Sequence, residues 1–297
     1  MLKLHAEALS LTSHHDMKQY GKESREDIIE YCRMPPEGAV LSTFDRKVIR
    51  FHDMAVKFGP DITRVEAENQ RTAYRLINPA IVRVPKVYDF FDSEGQGYIV
   101  MEFVDGKSRV HFDSSAREKI EAAFQHFSTL GGESFGNLCG FGPLCMYPFP
   151  DTGASLGSLD ELDRWCNCRL LQGSVSFHGR STVLCHRDFA PRNLLWCGND
   201  LFVLDWALAG FYPPSFEVCA QKNGRDMVAI DMLLSIHKAP SLSAEADLLT
   251  RIWSNSIRYA LYDAKEPSHL LPLIMNSAAR RTKTFKPFKE AVNHIAI

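Results

Sequence analysis

The chain has 297 residues, 45% of them hydrophobic, and its 34 Lys and Arg residues nearly balance 36 Asp and Glu residues. This composition excludes a disordered chain, and at roughly 150 residues per domain the length predicts two domains or one large one. The net charge of -2 provides no bulk attraction to nucleic acid, so we expect no nucleic-acid partner. Any anionic ligand must be held by local groups.

Hydrophobic runs in the chain are too short to cross a membrane, since none approaches the roughly 18 to 20 residues that a span needs. The first segment, MLKLHAEALSLTSHHD, is too polar for a signal peptide. We therefore expect a cytoplasmic protein without a membrane partner. Its eight cysteines lack metal-ligand spacing, and we interpret them as free thiols rather than as disulfides or a zinc site.

The first third of the chain contains strand patterns with one helix pattern between them. Two β-type runs, at 47–51 and 54–58, predict a hairpin, and the apolar spacing of 62–77 predicts a helix. Further β-type runs follow at 84–88 and 98–104, separated by turn-forming residues. This order predicts a β-rich first domain with one main helix.

Helix patterns dominate the rest of the chain. Ser115 and Glu118 have the spacing of a capping box at the start of a helix that extends to Leu130. The apolar positions of 243–262 predict another helix. The second domain is therefore expected to be mostly helical.

The change from strands to helices places the domain boundary near residue 105, with a first domain at 1–104 and a second at 105–297. This organisation is an α+β fold with two lobes. Within the second domain, the glycine-rich segment 131–160 predicts irregular structure. Such a segment is either a lid that borders a substrate site or a packed surface decoration.

Polar residues that can carry chemistry cluster at 185–205. Two apolar runs, 194–196 and 201–204, predict a hairpin whose turn is centred near residue 199. Asn193 and Asp205 are each six residues from that centre, so we expect them opposite each other with Cβ atoms about 4.5 to 5.5 Å apart. A carboxamide and a carboxylate facing one volume suit Mg²⁺, which prefers oxygen ligands and takes only one or two carboxylates.

A second carboxylate, Asp188, precedes Asn193 by five residues. A carboxylate in this position can accept the proton of an attacking hydroxyl while the metal neutralises charge on a transferred phosphoryl group. The arrangement therefore predicts a nucleotide as the second ligand.

The motif His186-x-Asp188-x4-Asn193, followed by Asp205-Trp206, resembles the aminoglycoside phosphotransferase/choline kinase branch of the protein-kinase-like superfamily. The resemblance implies a two-lobed protein-kinase-like fold with ATP bound between the lobes. It also implies Asp188 as catalytic base, Asn193 and Asp205 as magnesium ligands, and His186 as an orienting residue. Because no Ala-Pro-Glu element follows Asp205, a small-molecule hydroxyl acceptor is favoured over a protein.

The run Met54-Ala55-Val56-Lys57 resembles the Val-Ala-Ile-Lys strand of the same superfamily. Strand alternation puts Ala55 and Lys57 on one face. The small Ala55 would let adenine approach, and Lys57 would reach the α- and β-phosphates. The alternative is an exposed strand lysine without a ligand.

The helix after this strand is expected to present a glutamate to Lys57. Glu66 and Glu68 are the candidates, and Glu66 is preferred because it lies on the inward side of the helix. The resemblance further implies that the backbone of Glu102 and Val104 meets the adenine edge.

Several questions stay open at the level of sequence. No Gly-x-Gly-x-x-Gly precedes Lys57, and 38–43 is the nearest substitute for a phosphate-covering loop. The basic residues of 276–297 favour a neutral or anionic acceptor if they reach the cleft, but a solvated tail is an equal alternative. A catalytically silent nucleotide-binding protein, a nucleotidyl transferase and a protein kinase are the competing functions.

Overall fold

The structure is a computed structural model, which describes residues 23–42, 47–109, 111–132, 134–145, 148–149 and 154–258. The basic residues of 276–297 and part of the 38–43 segment lie outside the described residues. Among the helices that the structure describes, none is long and apolar enough to cross a membrane.

The first part of the chain forms a five-stranded antiparallel sheet with the strand order β1-β2-β3-β5-β4. The strands are β1 (Val40–Ser42), β2 (Lys47–Phe51), β3 (Met54–Gly59), β4 (Val87–Ser93) and β5 (Gln96–Glu102). The predicted hairpin is confirmed as β2 and β3. β4 begins three residues later than predicted and β5 ends two residues earlier, while both strands extend further toward their connection, because the turn between them contains only Glu94 and Gly95. Both turn residues have positive φ, of 52° and 74°, as a tight hairpin requires.

Two helices accompany this sheet. Helix α1 (Arg25–Arg33) packs its buried Ile28 and Cys32 into the cluster between itself and the sheet, and sequence analysis did not predict it. Helix α2 (Arg64–Leu76) lies between β3 and β4 and confirms the predicted helix at 62–77. The Thr63 side chain accepts a hydrogen bond from Glu66 N at its first turn, which begins the helix there.

The second part of the chain is mostly helical, as predicted. Its helices are α3 (Ser114–Thr129), α4 (Leu159–Asn167), α5 (Ser215–Gly224), α6 (Met227–His237) and α7 (Ser241–Arg258). The predicted capping box at Ser115 and Glu118 is wrong, because Asp113 is the residue whose side chain accepts from Ala116 N. The continuation of the last predicted helix beyond Arg258 lies outside the described residues.

Short strands complete this second part. A four-stranded sheet has the order β6-β8-β11-β7 and comprises β6 (Gly131–Gly132), β7 (Gly136–Asn137), β8 (Thr182–Cys185) and β11 (Gly210–Tyr212). In the described part of the 131–160 segment, Leu138, Leu144 and Phe149 are buried in the main core. These residues therefore pack as part of the fold. For the described part of 131–160, this favours a packed surface decoration over a lid.

The hairpin at 194–204 differs from its predicted register by one residue. β9 (Leu194–Cys197) pairs with β10 (Asp200–Val203) so that Leu194 faces Val203, and Leu204 N donates to Asn193 O at 2.9 Å. Asn193 is thus opposite Leu204, and the predicted pairing of Asn193 with Asp205 is wrong. The reason is the two-residue turn, whose centre lies between residues 198 and 199 rather than at 199, and a slip of one residue changes every partner.

Candidate active site

Two carboxylates converge on one lysine where the two parts of the chain meet. Lys57 Nζ contacts Glu66 Oε1 and lies 3.1 Å from Asp205 Oδ1. The Lys57 and Glu66 side chains are 8% and 2% exposed, and Asp205 is 25% exposed. Glu68, the rejected candidate, pairs instead with Arg71 at 2.6 Å. The structure therefore brings together the lysine of β3, the preferred glutamate of α2 and the aspartate after β10.

Asp188 lies in the loop between β8 and the short 3-10 turn Pro191–Asn193. Its Oδ2 accepts from Asn193 Nδ2 at 2.8 Å, and its Oδ1 accepts from Arg192 Nη2 at 2.5 Å. Asn193 Nδ2 also donates to Asp188 O at 2.9 Å. Because both of these bonds use the amide nitrogen, the amide oxygen of Asn193 is the atom that suits a metal ion.

His186 connects this loop to the chain that carries Asp205. Its Nδ1 accepts from Asp188 N at 3.2 Å, so the ring proton is on Nε2, which lies 3.0 Å from Leu204 O and donates to it. The ring is fully buried, and its centroid lies 4.7 Å from that of the Trp206 ring. His186 therefore holds the Asp188 loop against the residue that directly precedes Asp205.

Arg187 and Glu217 support the same loop. Arg187 has a positive φ of 65°, and its backbone N donates to the buried Glu217 carboxylate at 2.8 Å. Its guanidinium donates to Cys145 O at 2.8 Å and lies 4.7 Å from the Tyr212 ring centroid. Sequence analysis missed Arg187, because a residue between His and Asp in this motif carries no spacing signal of its own.

The thiol of Cys185 directly precedes this loop. It is fully buried, and burial raises its pKa well above the usual range of a thiol. It is therefore a protonated core residue rather than a nucleophile. All eight cysteines are free thiols, and the described residues contain no cluster of three or more His, Cys, Asp or Glu that could hold a metal ion.

The residues predicted to meet adenine lie along β3 and after β5. Ala55 is buried and faces Met101 across the strand pair, two positions from Lys57. Glu102 ends β5, and its backbone N donates to Lys86 O at 2.9 Å. Val104 lies beyond the strand, where its carbonyl accepts from Gly106 N at 2.9 Å. The adenine contacts of these residues stay predictions.

The chemistry of the predicted metal ligands suits a magnesium ion. Asn193 would offer an amide oxygen and Asp205 a carboxylate, with Asp188 hydrogen-bonded to the same amide. Oxygen donors with few carboxylates are the preference of Mg²⁺ rather than of zinc. The metal site and a phosphate contact of Lys57 stay predictions.

Comparison with known proteins gives a match to one protein family. Residues 148–253 match the phosphotransferase enzyme family (APH). The matched part holds the Asp188 loop, the β9–β10 hairpin and Asp205, and it confirms the predicted resemblance to aminoglycoside phosphotransferases. Lys57 and Glu66 lie outside it. No curated protein sequence matches the chain.

Solved structures of aminoglycoside phosphotransferases are distantly similar to the chain. A thermostable mutant of aminoglycoside phosphotransferase APH(4)-Ia, in its apo form, is 15% identical, covering 81% of this chain and 94% of that chain at a TM-score of 0.47. The ternary complex of streptomycin, ATP and APH(2")-IIa is 14% identical, covering 83% of this chain and 96% of that chain at a TM-score of 0.49.

Proposed function

We propose that the protein is an ATP- and Mg²⁺-dependent phosphotransferase that phosphorylates a hydroxyl group of a small molecule. The observation that carries the proposal is the convergence of Lys57, Glu66 and Asp205, together with the His186 contact that joins Asp188 to the same chain segment. The family match over the second part supports phosphoryl transfer as the reaction class. Free thiols throughout the chain are typical of the cytoplasm, where we expect it to act.

Different side chains would bind the phosphates, the magnesium ion and the adenine of ATP. Lys57, held by Glu66, would neutralise the α- and β-phosphates of ATP, and Asn193 Oδ1 and Asp205 would hold magnesium. A bound magnesium ion would offset the negative charge that develops on the transferred phosphoryl group. Ala55, Glu102 and Val104 would line the adenine end of the site.

Asp188 is the group that would receive the proton. As the acceptor oxygen forms its bond to the γ-phosphorus and the bond to ADP breaks, the hydroxyl proton passes to an Asp188 carboxylate oxygen. Asn193 already occupies Oδ2 and Arg192 lies on Oδ1. Each carboxylate oxygen can accept more than one hydrogen bond, so the acceptor hydroxyl would bind Asp188 beside one of these two donors.

A small-molecule acceptor is favoured over a protein by the chain that follows Asp205. β11 begins at Gly210 and α5 at Ser215, so the hairpin is followed within a few residues by packed structure. That leaves no room for the long segment on which protein kinases bind a peptide. A catalytically silent nucleotide-binding protein is the second candidate, because every contact described above could serve binding alone.

Two substitutions test the proposal. Asp188→Asn should leave ATP affinity unchanged but lower phosphate transfer at least about 100-fold, since it removes the proton acceptor. Asp205→Ala should remove the magnesium-dependent part of ATP binding. Calorimetry with ATP, with and without MgCl₂, measures binding, and transfer of labelled γ-phosphate to a panel of sugars, amino alcohols and aminoglycosides measures turnover.

Asp200→Asn is the matched control, because Asp200 is an exposed carboxylate of the same hairpin that pairs with Arg83. Asp200→Asn should change neither ATP binding nor phosphate transfer. Wild-type turnover in Asp188→Asn would refute the role of the base. Binding of Mg-ATP without transfer to any acceptor would instead favour the silent protein.

A further inference from the structure

One side chain of α2, Asn69, crosses from the first part of the chain to the second. It is fully buried, and its amide makes three hydrogen bonds there. Nδ2 donates to Trp206 O at 3.1 Å and to Ala207 O at 3.3 Å, and Oδ1 accepts from Cys139 N at 2.8 Å. A single side chain therefore binds two separate segments of the catalytic part.

The chemistry of these partners requires an amide at position 69. The carbonyls of Trp206 and Ala207 can only accept a hydrogen bond, and the backbone N–H of Cys139 can only donate one. Asparagine has two donors on one end and an acceptor on the other, whereas aspartate has no donor and leucine has neither. Losing the amide removes the bonds to Ala207 O and Cys139 N, whereas Trp206 O keeps a second hydrogen bond, from Ala209 N at 3.2 Å.

The position of Asn69 links two charged groups of the site. Asn69 follows Glu66 by three residues, so both side chains leave α2 on neighbouring turns. Trp206 and Ala207 come directly after Asp205, whose backbone has a positive φ of 63°. A non-glycine residue rarely adopts that conformation unless its surroundings hold it. Lys57 contacts Glu66 and Asp205 together only while α2 and this loop keep their relative position.

The Trp206 segment is anchored from its other side as well. The Trp206 side chain is fully buried in the helical part, and its Nε1 donates to Val203 O at 2.9 Å. The indole thus fixes the segment to β10 and His186, while its carbonyl bonds to α2 through Asn69. Asn69 thereby joins this segment by hydrogen bonds to the helix that carries Glu66.

The loop that contains Cys139 packs on the same helix. Gly142 lies so close to α2 that an added Cβ would be 2.5 Å from Val65 Cγ2. Asn137 shapes this loop, since its Nδ2 donates to the carbonyls of Phe141, Gly142 and Pro143 at 2.9 to 3.1 Å. The bond from Cys139 to Asn69 is therefore made by a loop with a defined shape.

We propose that Asn69 is a positioning residue for phosphoryl transfer, which holds Glu66 and Asp205 in the arrangement that Lys57 bridges. This inference rests on the proposed function of the same site. Asn69 contacts neither nucleotide nor acceptor, and its effect passes through the Asp205 loop and α2. Small displacements of catalytic groups reduce rates steeply, so a buried amide at this position controls turnover.

Gln70 provides a matched control for Asn69. It is the next residue of α2 and is also buried, and its Nε2 donates to Pro85 O at 2.8 Å. Its hydrogen-bond partners Pro85 and Met101 lie in the first part of the chain. Asn69→Leu and Gln70→Leu each remove a buried amide that donates to backbone carbonyls, but only the first breaks contacts with the Asp205 loop.

The experiment compares these variants by three measurements. Urea unfolding gives the loss of stability, calorimetry gives the Mg²⁺ concentration for half-maximal ATP binding, and phosphate release from Mg-ATP gives turnover without any acceptor. We expect Asn69→Leu to raise the magnesium requirement and to lower turnover about tenfold or more, with Gln70→Leu within about twofold of wild type. Asn69→Asp keeps the acceptor for Cys139 but has no donor, and it should resemble Asn69→Leu.

The proposal is overturned if Asn69→Leu keeps the wild-type magnesium requirement and turnover, or if Gln70→Leu loses as much of both. If Asn69→Leu does not fold, Asn69→Asp decides between the same outcomes. Hydrogen exchange of the amides at 204–209 needs no nucleotide, and it should accelerate in the Asn69 variants but not in Gln70→Leu. If the wild type neither binds nor hydrolyses ATP, the proposed function fails, while this exchange comparison still decides whether Asn69 holds the loop.

Discussion

Lys57 pairs with both carboxylates of the site, Glu66 and Asp205. Moving an ammonium and a carboxylate out of water is costly, and a buried pair is stable only while both partners are present. Glu66 is almost fully buried, whereas Asp205 is partly exposed. Loss of the Lys57 ammonium should therefore destabilise the buried Glu66 carboxylate more than the partly exposed Asp205 carboxylate.

This difference predicts unequal effects of single substitutions. Lys57→Met should lower the free energy of unfolding by about 3 to 5 kcal/mol, because it leaves the buried Glu66 carboxylate without its cation. Glu66→Gln should lower the free energy of unfolding clearly less. Lys57 keeps its ion pair with Asp205 at 3.1 Å, and the glutamine side chain still offers an oxygen that can accept from Lys57. Urea unfolding measures both values. The double variant Lys57→Met with Glu66→Leu should recover stability, and equal losses in the two single variants would contradict the argument.

At the scale of elements, the placement of α2 determines where Glu66 and Asn69 lie. The chain enters α2 through Ile62, and this entry packs directly on β5. A Cβ added to Gly97 would be 2.0 Å from Ile62 O, closer than any real side chain can come. Gly97 also faces Gly59 of β3 in the sheet. The absence of a side chain at Gly97 therefore sets the distance between the sheet and the start of α2.

Gly97→Ala should consequently destabilise the protein by about 1 to 3 kcal/mol, since the backbone at Ile62 must shift to make room. Gly224→Ala is the control: Gly224 ends α5, nothing lies within 4 Å of its added Cβ, and alanine favours a helix by up to about 1 kcal/mol. Thermal unfolding of both variants tests this. An unchanged melting temperature in Gly97→Ala would show that the entry to α2 can move freely.

At the scale of the whole molecule, hydrogen bonds outside the site also join the two parts. Arg83 exchanges backbone hydrogen bonds with Leu201 and Val203 at 2.8 and 2.9 Å. His126 of α3 accepts from Asn78 N at the end of α2 at 3.0 Å. A histidine can accept here only while its ring is neutral, which makes this contact depend on pH.

Burial lowers the pKa of His126 below its usual value of 6.5. The unfolded chain therefore takes up a proton at higher pH than the folded protein does, and the contribution of His126 to stability is present above pH 6.5 and is lost as the pH falls below it. His126→Gln should remove this component, because glutamine accepts from Asn78 without titrating. Urea unfolding at about pH 5 and about pH 8 measures the difference.

The pH dependence of stability that His178 contributes has the opposite sign to that of His126. Its hydrogen bond to Asp160 raises the pKa of the exposed ring, so its contribution is present at low pH and is lost as the pH rises through the folded pKa. His178→Gln should therefore lower stability more at about pH 5 than at about pH 8. If the stability of His126→Gln depends on pH in the same way as that of the wild type, the His126 ring does not cause the loss of stability at low pH.

Much of the candidate site could be predicted because its signals are local. The alternation of β3 placed Lys57 beside Ala55, and helical spacing selected Glu66 over Glu68 before any contact was known. The spacing of Asp188 and Asn193 placed both in one loop, and the resemblance to the kinase-like family implied that His186 belongs with them. Each inference used residues within about one or two turns of each other, where backbone geometry alone decides which side chains are neighbours.

Register and capping were harder to predict, since small differences in local energy decide them. Asp113 rather than Ser115 caps α3, although both residue types favour that position. The β9–β10 hairpin is shifted by one residue because its turn contains two residues, Gly198 and Asn199. Sequence patterns identify such elements reliably, but their ends depend on which of several similar contacts the packed chain allows.

The sequence by itself determined which residues carry charge, which elements hold them and the order in which they occur. Only the tertiary structure decided how Asn69 bonds to Trp206 and Cys139 and how Glu217 holds Arg187. These partners are far apart in the chain. No periodicity encodes such contacts, because they form only when packing brings distant backbone groups together and excludes the water that would otherwise satisfy them.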